Sequence, residues 1–228
     1  MTEVQSEFQG CAGMTVAQVA RLARELYRDA KPGIKYKQAY RPYICPFHLL
    51  VDYVPSGASV LDVGCGAGLF ILLMARLGRI RSGVGFDADE VAIHAAQDAA
   101  AKLLNRAPIY FEQQSTHDRW PKSQFDVVSI IDVMHHLPPE KQPDLIAVAA
   151  EHLNEGGLLL YKDMASRPLW RAWANRLHDL ASAQEWIHYA ELDDVVDWAR
   201  EAGLRLDCRE AINMLWYRHE WCLFRRTA

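Results

Sequence analysis

Short hydrophobic runs alternate with helically spaced hydrophobic positions along residues 58–163, which predicts a regular succession of strands and helices. The runs that predict strands are 59–63, 82–86, 109–112, 125–131 and 157–162. Helical spacing lies between them, at 68–77, 89–104 and 139–153. Strands that alternate with helices indicate an α/β fold, with a parallel sheet that is covered by helices on both faces.

The two ends of the chain follow other patterns. Thr15 is suited to cap a helix that runs to about residue 29, and Pro32 with Gly33 is expected to stop it. After residue 164 the alternation ends, and six of the seven tryptophans lie between 170 and 221. A helical insert at about 169–183, a helix near 192–202 and two last strands, near 204–209 and 221–225, are predicted there.

Composition and charge exclude several classes of protein. The 228 residues suffice for one sizeable core, and 50% hydrophobic with 24% charged residues is ordinary for a globular protein. A formal net charge of −4 argues against a nonspecific nucleic-acid binder, and no apolar stretch is long enough for an integral membrane span. The polar N-terminus and five cysteines without C-x-x-C spacing favour a reduced, cytoplasmic chain and no metal site.

The most informative segment is a glycine loop, residues 64–68, that follows the first predicted strand. Gly64, Gly66 and Gly68 permit a tight turn and let a ligand approach the main chain closely. Leu69 stands where a dinucleotide fingerprint has its third glycine, so a dinucleotide-dependent oxidoreductase is disfavoured. Asp62 is placed to hold the loop or to meet a ligand ammonium group.

Asp87 ends the second predicted strand, 23 residues after Gly64. A carboxylate at this place accepts hydrogen bonds from both hydroxyls of a ribose. The alternative is that Asp87 only caps the next helix, although Asp89 is placed to do that as well.

A polar loop follows the fourth predicted strand, at the sheet edge where ligands of open α/β sheets bind. Its histidines, His135 and His136, titrate near neutral pH and are candidate general bases, as is His188 further along. Neighbouring residues point apart, so we expect at most one of the pair to face an acceptor. The alternative for each is a structural histidine bonded to the backbone at a helix start.

These elements, in this order and spacing, resemble class I S-adenosylmethionine-dependent methyltransferases of the small-molecule branch, whose loop often reads L-H-H-L where this chain has Met134-His135-His136-Leu137. The resemblance covers about residues 58–163. It implies a Rossmann-like, seven-stranded, mostly parallel sheet with helices on both faces and an antiparallel last strand. It also implies methyl transfer from S-adenosylmethionine by in-line displacement, with no metal required by the donor.

The resemblance further implies a set of cofactor contacts: Asp62, Gly64, Cys65, Gly66, Gly68, Asp87, Ala88, Gln114, Ser115 and Asp132. His135 and His136 are the candidate catalytic residues. One departure concerns the adenine contact, because many relatives have an aspartate on the third strand where counting back from Phe125 gives Gln114. The amide oxygen of a glutamine can still accept that hydrogen bond.

We expect a helical and aromatic lid in residues 1–57 and the methyltransferase domain in 58–228. Residues 30–51 contain no acidic residue and interleave basic with aromatic side chains. Arg41 is suited to pair with the carboxylate of the cofactor, and Tyr36 to shield its sulfonium. An anionic acceptor and simple packing are the alternatives for this segment.

The acceptor is hypothesised to be a small apolar or aromatic molecule, roofed by the helical insert at about 165–190. The chemistry of the methylated atom, whether oxygen, nitrogen or carbon, and the oligomeric state stay open. An amphipathic Trp/Arg helix of this kind also fits contact with a membrane surface. The alternative function is a catalytically silent subunit of the same fold that binds the cofactor and serves a partner.

Overall fold

A computed structural model of the chain describes residues 13–103, 107–165 and 188–227. The helical insert predicted at about 169–183 therefore lies outside the described residues. The chain consists of two compact units, Met1–Pro121 and Lys122–Ala228. Among the described helices, none has the length and hydropathy needed to cross a membrane.

The first unit begins with helices and continues with strands and helices in alternation. In chain order its elements are α1 (Val16–Leu26), α2 (Pro32–Ile44), α3 (Phe47–Leu50), the 3-10 turn Val51–Tyr53, β1 (Ala58–Val63), α4 (Leu69–Arg76), β2 (Ile80–Asp87), α5 (Glu90–Ala100) and β3 (Ile109–Gln113). β2 pairs in parallel with both β1 and β3. Every residue of β1 is buried, as is α4 from Leu69 to Ala75, which is typical of a parallel sheet covered on its faces.

The second unit carries the other four strands. Its elements are β4 (Phe125–Ile131), the 3-10 turns Met134–His136 and Pro139–Lys141, α6 (Gln142–Glu151), β5 (Leu153–Met164), α7 (Leu192–Glu201), β6 (Leu204–Met214) and β7 (Tyr217–Arg226). β4 and β5 are parallel, whereas β7 runs antiparallel to both β5 and β6. The seven strands follow the order β3-β2-β1-β4-β5-β7-β6, which confirms the predicted sheet.

Differences from the predicted elements lie mainly at their ends. Thr15 caps α1 through a reciprocal pair of bonds with Gln18, as the sequence predicts. Pro32 does not follow a helix end but begins α2, since proline is well tolerated at the first helical position. The last two strands extend to a tight turn because Met214 pairs with Tyr217, and these cross-strand pairs are invisible in either strand alone.

Candidate active site

The glycine loop joins β1 to α4 in the first unit, and its three glycines all adopt left-handed backbone conformations. Gly64, Gly66 and Gly68 have φ values of 63°, 54° and 77°, which side chains rarely tolerate. A Cβ on Gly68 would also lie 2.4 Å from the ring of Phe111. On Gly66 it would meet no described atom within 4 Å, so the loop is open to a ligand there.

Asp87 is bonded to this loop. One carboxylate oxygen accepts from the N–H of Gly66 at 2.7 Å, and the other accepts from the N–H of Asp89 at 2.9 Å. The carboxylate of Asp89 caps α5 by accepting from the N–H groups of Val91 and Ala92. Asp87 is therefore not the helix cap, and each of its oxygens has a second lone pair for a ligand hydroxyl.

Cys65 and Asp62 lie at the base of the loop. The N–H of Cys65 donates to the carbonyl of Phe86 at 3.0 Å, and Asp62 is buried. Burial raises the pKa of the Cys65 thiol well above its usual range, and the carboxylates of Asp62 and Asp87 raise it further. Cys65 is thus a protonated thiol at neutral pH and not a nucleophile.

Tyr27 is a contact of this loop that the sequence analysis did not identify. It follows α1 and is buried, and its hydroxyl donates to the carbonyl of Ala67 at 2.5 Å. Burial raises the pKa of Tyr27 well above its usual range, while the positive charge of Arg41 acts in the opposite direction. The sequence does indicate that Tyr27 is buried, because at helical spacing it continues the apolar stripe that contains Ala20 and Ala23.

The other predicted cofactor residues of the first unit, Gln114, Ala88 and Ser115, differ in whether their polar groups are bonded within the protein. The backbone N–H of Gln114 donates to the carbonyl of Asp87 at 2.9 Å, while its buried side-chain amide nitrogen has no hydrogen-bond partner among the residues that the structure describes. The carbonyl of Ala88 accepts from the side chain of Gln113, and the N–H of Ser115 donates to Asp118. Gln114 is therefore the residue of this group whose buried polar atom is left for a ligand.

The two predicted lid residues face different surroundings. The guanidinium carbon of Arg41 lies 5.8 Å from the ring centroid of Phe47, a cation–π distance. Tyr36 is 73% exposed and points away from the body of the unit. The structure thus brings Arg41, but not Tyr36, close to the group of residues around Tyr27.

In the second unit, the candidate bases lie in the turn after β4. Nδ1 of His135 is 2.6 Å from a carboxylate oxygen of Asp163, and the backbone N–H of His135 donates to the other oxygen at 3.3 Å. Both side chains are buried, whereas His136 is exposed. The ring centroids of His135 and His136 are nevertheless only 4.2 Å apart, so the adjacent histidines differ in exposure but do not point apart. Pairing of Nδ1–H with the carboxylate leaves Nε2 as the basic nitrogen of His135.

Gln142 and His188 fix the backbone around His135. The buried side-chain amide of Gln142 donates to the carbonyls of Met134, Leu137 and His188, at 3.3, 3.2 and 2.8 Å. The backbone N–H of His188 in turn donates to the carbonyl of His135 at 2.9 Å. His188 thus contributes its backbone to holding the candidate base in place.

Asp132 directly follows β4 and has a left-handed backbone conformation. Its φ is 58°, a value that is uncommon for residues other than glycine, although aspartate tolerates it better than most. Its backbone N–H donates to the carbonyl of Lys162 at 2.9 Å, and its carboxylate forms an ion pair with the Lys162 ammonium. Lys162 is fully buried, so this is a desolvated pair at the end of the strand.

A protein-family model that is described as a methyltransferase domain matches residues 36–209 of the chain. The chain belongs to the class I S-adenosylmethionine-dependent methyltransferases. This membership confirms the resemblance on which the sequence analysis relied.

Two curated relatives are similar over part of their length. A ubiquinone biosynthesis O-methyltransferase of Coxiella burnetii (strain Dugway 5J108-111) is 30% identical over 164 residues, which is 66% of this chain and 64% of that protein. A 27-O-demethylrifamycin SV methyltransferase of Amycolatopsis mediterranei (strain S699) is 28% identical over 162 residues, 69% of this chain and 58% of that protein. The matches thus span less than two thirds of the length of either relative.

A solved structure of magnesium protoporphyrin IX methyltransferase from Synechocystis PCC 6803, with bound SAH, has the same fold. It superposes with a TM-score of 0.65 and 19% identity, over 90% of this chain and 92% of that chain.

Potential metal ligands are scattered in the part of this methyltransferase that the structure describes. Within residues 13–103, 107–165 and 188–227, no three His, Cys, Asp or Glu side chains are grouped as metal ligands.

His219 of β7 is a buried polar residue that the sequence analysis did not single out. It is almost fully buried, and neither ring nitrogen has a hydrogen-bond partner among the described residues. Burial, and after it the positive charge of Lys162, lowers the pKa of His219 to about 3. Its imidazole is accordingly neutral in the folded protein throughout the physiological pH range.

This depressed pKa predicts acid sensitivity of the fold. Because an unfolded histidine titrates near pH 6.5, the unfolded chain binds one more proton than the folded chain between pH 6.5 and about 3. The contribution of neutral His219 to the free energy of unfolding is complete above pH 6.5. It is lost as the pH falls below 6.5, by about 1.4 kcal/mol per pH unit. Urea unfolding at pH 7 and pH 5 should show a loss of about 2 kcal/mol from this residue.

The variant His219→Leu should lose that part of the pH dependence, since no titrating group remains. The exposed His94 supplies the control, and His94→Leu should keep the dependence of the unaltered protein. Equal pH dependence in His219→Leu and the unaltered protein would contradict the assignment.

Proposed function

We propose that this protein transfers the methyl group of S-adenosylmethionine to a hydroxyl group of a small apolar or aromatic molecule. The observation that carries the cofactor assignment is the carboxylate of Asp87, held against the N–H of Gly66 in an open glycine loop. Two relatives, a ubiquinone biosynthesis O-methyltransferase and a 27-O-demethylrifamycin SV methyltransferase, are named for small-molecule methylation, which supports the class of acceptor.

The first unit is proposed to bind the cofactor. Asp87 would accept hydrogen bonds from the ribose hydroxyls, and the buried amide N–H of Gln114 would donate to a ring nitrogen of the adenine. The open backbone at Gly66 would lie against the cofactor, with Asp62 and Cys65 at the base of the loop. The cofactor, when bound, supplies a methyl group that its positive sulfur has already activated.

The second unit is proposed to act on the acceptor. Nε2 of His135 would take the proton of the acceptor hydroxyl as the oxygen attacks, and the Asp163 carboxylate would stabilise the resulting imidazolium. General bases contribute about 10²–10⁴-fold to such reactions, and correct orientation of the reactants supplies roughly 7–11 kcal/mol. His136, which is exposed, is the second candidate base.

A methyl-transfer assay tests the proposed function. The purified protein, incubated with radiolabelled S-adenosylmethionine and a panel of phenols or a small-molecule extract, should transfer label to a hydroxyl compound. Cofactor binding by calorimetry without transfer to any compound would instead favour the catalytically silent subunit.

Replacement of Asp87 should weaken cofactor binding. Asp87→Asn keeps an oxygen for the N–H of Gly66 but loses the charged acceptor, which costs about 1.5–3 kcal/mol, or roughly 10- to 100-fold in Kd measured by calorimetry. Asp89→Ala is the matched control, since it removes the cap of α5 and about 1 kcal/mol of stability without touching the cofactor. Unchanged affinity in Asp87→Asn would refute the ribose assignment.

Residues 1–57 are proposed to act as a lid on the cofactor, with Arg41 as the residue that pairs with its carboxylate. Arg41 is partly buried near Phe47 and acts electrostatically on Tyr27, which holds the glycine loop through Ala67. Tyr36, the expected shield of the sulfonium, lies about 140° from Arg41 around α2 and is 73% exposed, so the proposed lid contact is Arg41 alone.

Arg41→Ala should weaken cofactor binding more than Lys37→Ala does, because Lys37 is exposed and is not part of this group of contacts. The two Kd values for S-adenosylmethionine are compared by calorimetry, and we expect a difference of about 10-fold or more. If Arg41→Ala leaves the cofactor Kd intact and raises the KM of the acceptor, the lid belongs to the acceptor instead.

A further inference from the structure

The outward face of α2 is aromatic where a surface helix is normally polar. Tyr36, Tyr40 and Tyr43 are 73%, 47% and 38% exposed. At 3.6 residues per turn they lie within about 60° of one another around the helix, and we call them the tyrosine stripe. The buried residues of α2, Gln38 and Pro42, lie on the opposite side, so the stripe points directly away from the unit.

Basic residues flank the tyrosine stripe on both sides. Lys35 and Lys37 are each about 100° from Tyr36 around the helix, and both are exposed. Lys31, at the N-cap, is exposed as well. The stretch 30–51 contains no acidic residue, although the whole chain has a formal net charge of −4. The positive charge is thus local to this helix face and does not reflect a basic protein.

We propose that this face of α2 is a docking surface for an anionic lipid bilayer, on which the helix lies in the plane of the interface. Tyrosine side chains favour the membrane–water interface, since the ring is apolar and the hydroxyl stays hydrated. On the flanks, Lys37 extends its ammonium group to lipid phosphates while its stem covers apolar surface, and Lys31 adds charge at the N-cap. The ammonium of Lys35 donates to the carbonyl of Arg28 at 3.0 Å and adds positive charge to the same face. This pairing of an aromatic apex with basic flanks is the pattern of an interfacial helix.

A protein or nucleic-acid partner fits these observations less well. A surface that binds an acidic protein is expected to have basic side chains at its centre, but three neutral tyrosines occupy the centre of this face of α2. The backbone of a nucleic acid calls for more basic residues than one helix provides in a chain whose formal net charge is −4.

Vesicle sedimentation with the full chain tests the proposal. Vesicles of phosphatidylglycerol and phosphatidylcholine in equal parts should sediment the protein at low ionic strength, and vesicles of phosphatidylcholine alone should do so much less. The double variant Lys31→Glu/Lys37→Glu should bind the anionic vesicles about 30-fold more weakly or worse. Binding should also weaken as salt is added, because exposed charges are screened.

A second variant tests the aromatic part. Tyr40→Ser/Tyr43→Ser should also weaken vesicle binding, by about 10-fold, because two interfacial rings are lost. Tyr36 is left unaltered, so that one ring of the tyrosine stripe remains. The matched controls are Tyr110→Ser, which changes a tyrosine that is 64% exposed on β3, and Lys122→Glu/Lys141→Glu, which changes the same charge elsewhere.

Several results would overturn the proposal. These are equal binding to both kinds of vesicle, equal losses in the controls, or unaltered binding by both α2 variants. A further contradicting result would come from sedimentation velocity. A dimer of the unaltered protein that dissociates in Tyr40→Ser/Tyr43→Ser would show that a second copy of the chain, and not a bilayer, covers the tyrosine stripe. Vesicle binding is measured without cofactor or acceptor, so its failure would leave the proposed methyl transfer untouched.

Discussion

Replacing His135 by glutamine is expected to lower kcat by about 10²–10⁴-fold, the usual contribution of a positioned general base. The acceptor hydroxyl would then lose its proton to water, while the cofactor residues of the first unit are unaltered. We therefore expect the Kd of S-adenosylmethionine to stay within about 2-fold of its original value. Steady-state kinetics with the acceptor found in the transfer assay gives kcat, and calorimetry gives the Kd.

Asp163→Asn separates a positioning role from a structural one. The asparagine oxygen can replace the carboxylate oxygen that accepts from the N–H of Met164 and lies against Nδ1 of His135, but the bond from the backbone N–H of His135 to the other oxygen is lost. Some loss of stability is therefore expected beside the kinetic change. The amide cannot stabilise an imidazolium on His135 as a carboxylate does, so kcat should fall and the acid limb of the pH–rate profile should move. A purely structural role for Asp163 would change stability and leave the pH profile in place.

His136→Gln is the matched control for both variants. His136 is exposed and its ring centroid is 4.2 Å from that of His135, so the substitution changes the neighbouring residue but not the pair with Asp163. Should His136→Gln lose as much kcat as His135→Gln does, His136 would be the base and the role of Asp163 would have to be abandoned.

The parts of the molecule that can be predicted from the sequence are those set by local pattern. The sequence predicts β4 at its observed bounds because a run of apolar residues begins after a polar turn and ends at Asp132. The left-handed glycines of the loop are predictable since no other residue adopts φ values such as 77° at Gly68 at so little cost. Both features depend on residues within a few positions of one another.

The features that cannot be predicted depend on pairs of residues distant in the sequence. Asp163 lies 28 residues after His135, and neither position indicates that the two side chains meet. Lys162 follows four apolar residues and gives no sign by itself of pairing with Asp132, 30 residues earlier. His219 is buried only because β7 inserts between β5 and β6, a consequence of sheet order and not of local pattern.

Removal of the Lys162 side chain should strongly destabilise the second unit. Lys162 is fully buried and the Asp132 side chain is only 18% exposed, so Lys162→Met would leave a carboxylate in poorly solvated surroundings without its counter-ion. Loss of one partner of a buried pair costs about 3–5 kcal/mol, which exceeds the hydrophobic gain from the new methionine. Urea unfolding at pH 7 should show this loss in the free energy of unfolding.

The double variant Lys162→Met/Asp132→Asn should recover a large part of that loss, since the uncompensated charge is gone. Asparagine is the appropriate replacement because it accepts the left-handed conformation, with φ of 58°, that Asp132 adopts. The exposed pair of Arg200 and Asp197 is the control, and Arg200→Met should cost less than about 1 kcal/mol. If Lys162→Met lowers the free energy of unfolding no more than Arg200→Met does, the pair of Lys162 and Asp132 is solvated and does not hold Asp132 at the end of β4. If the double variant is as unstable as Lys162→Met, the loss comes from packing and not from charge.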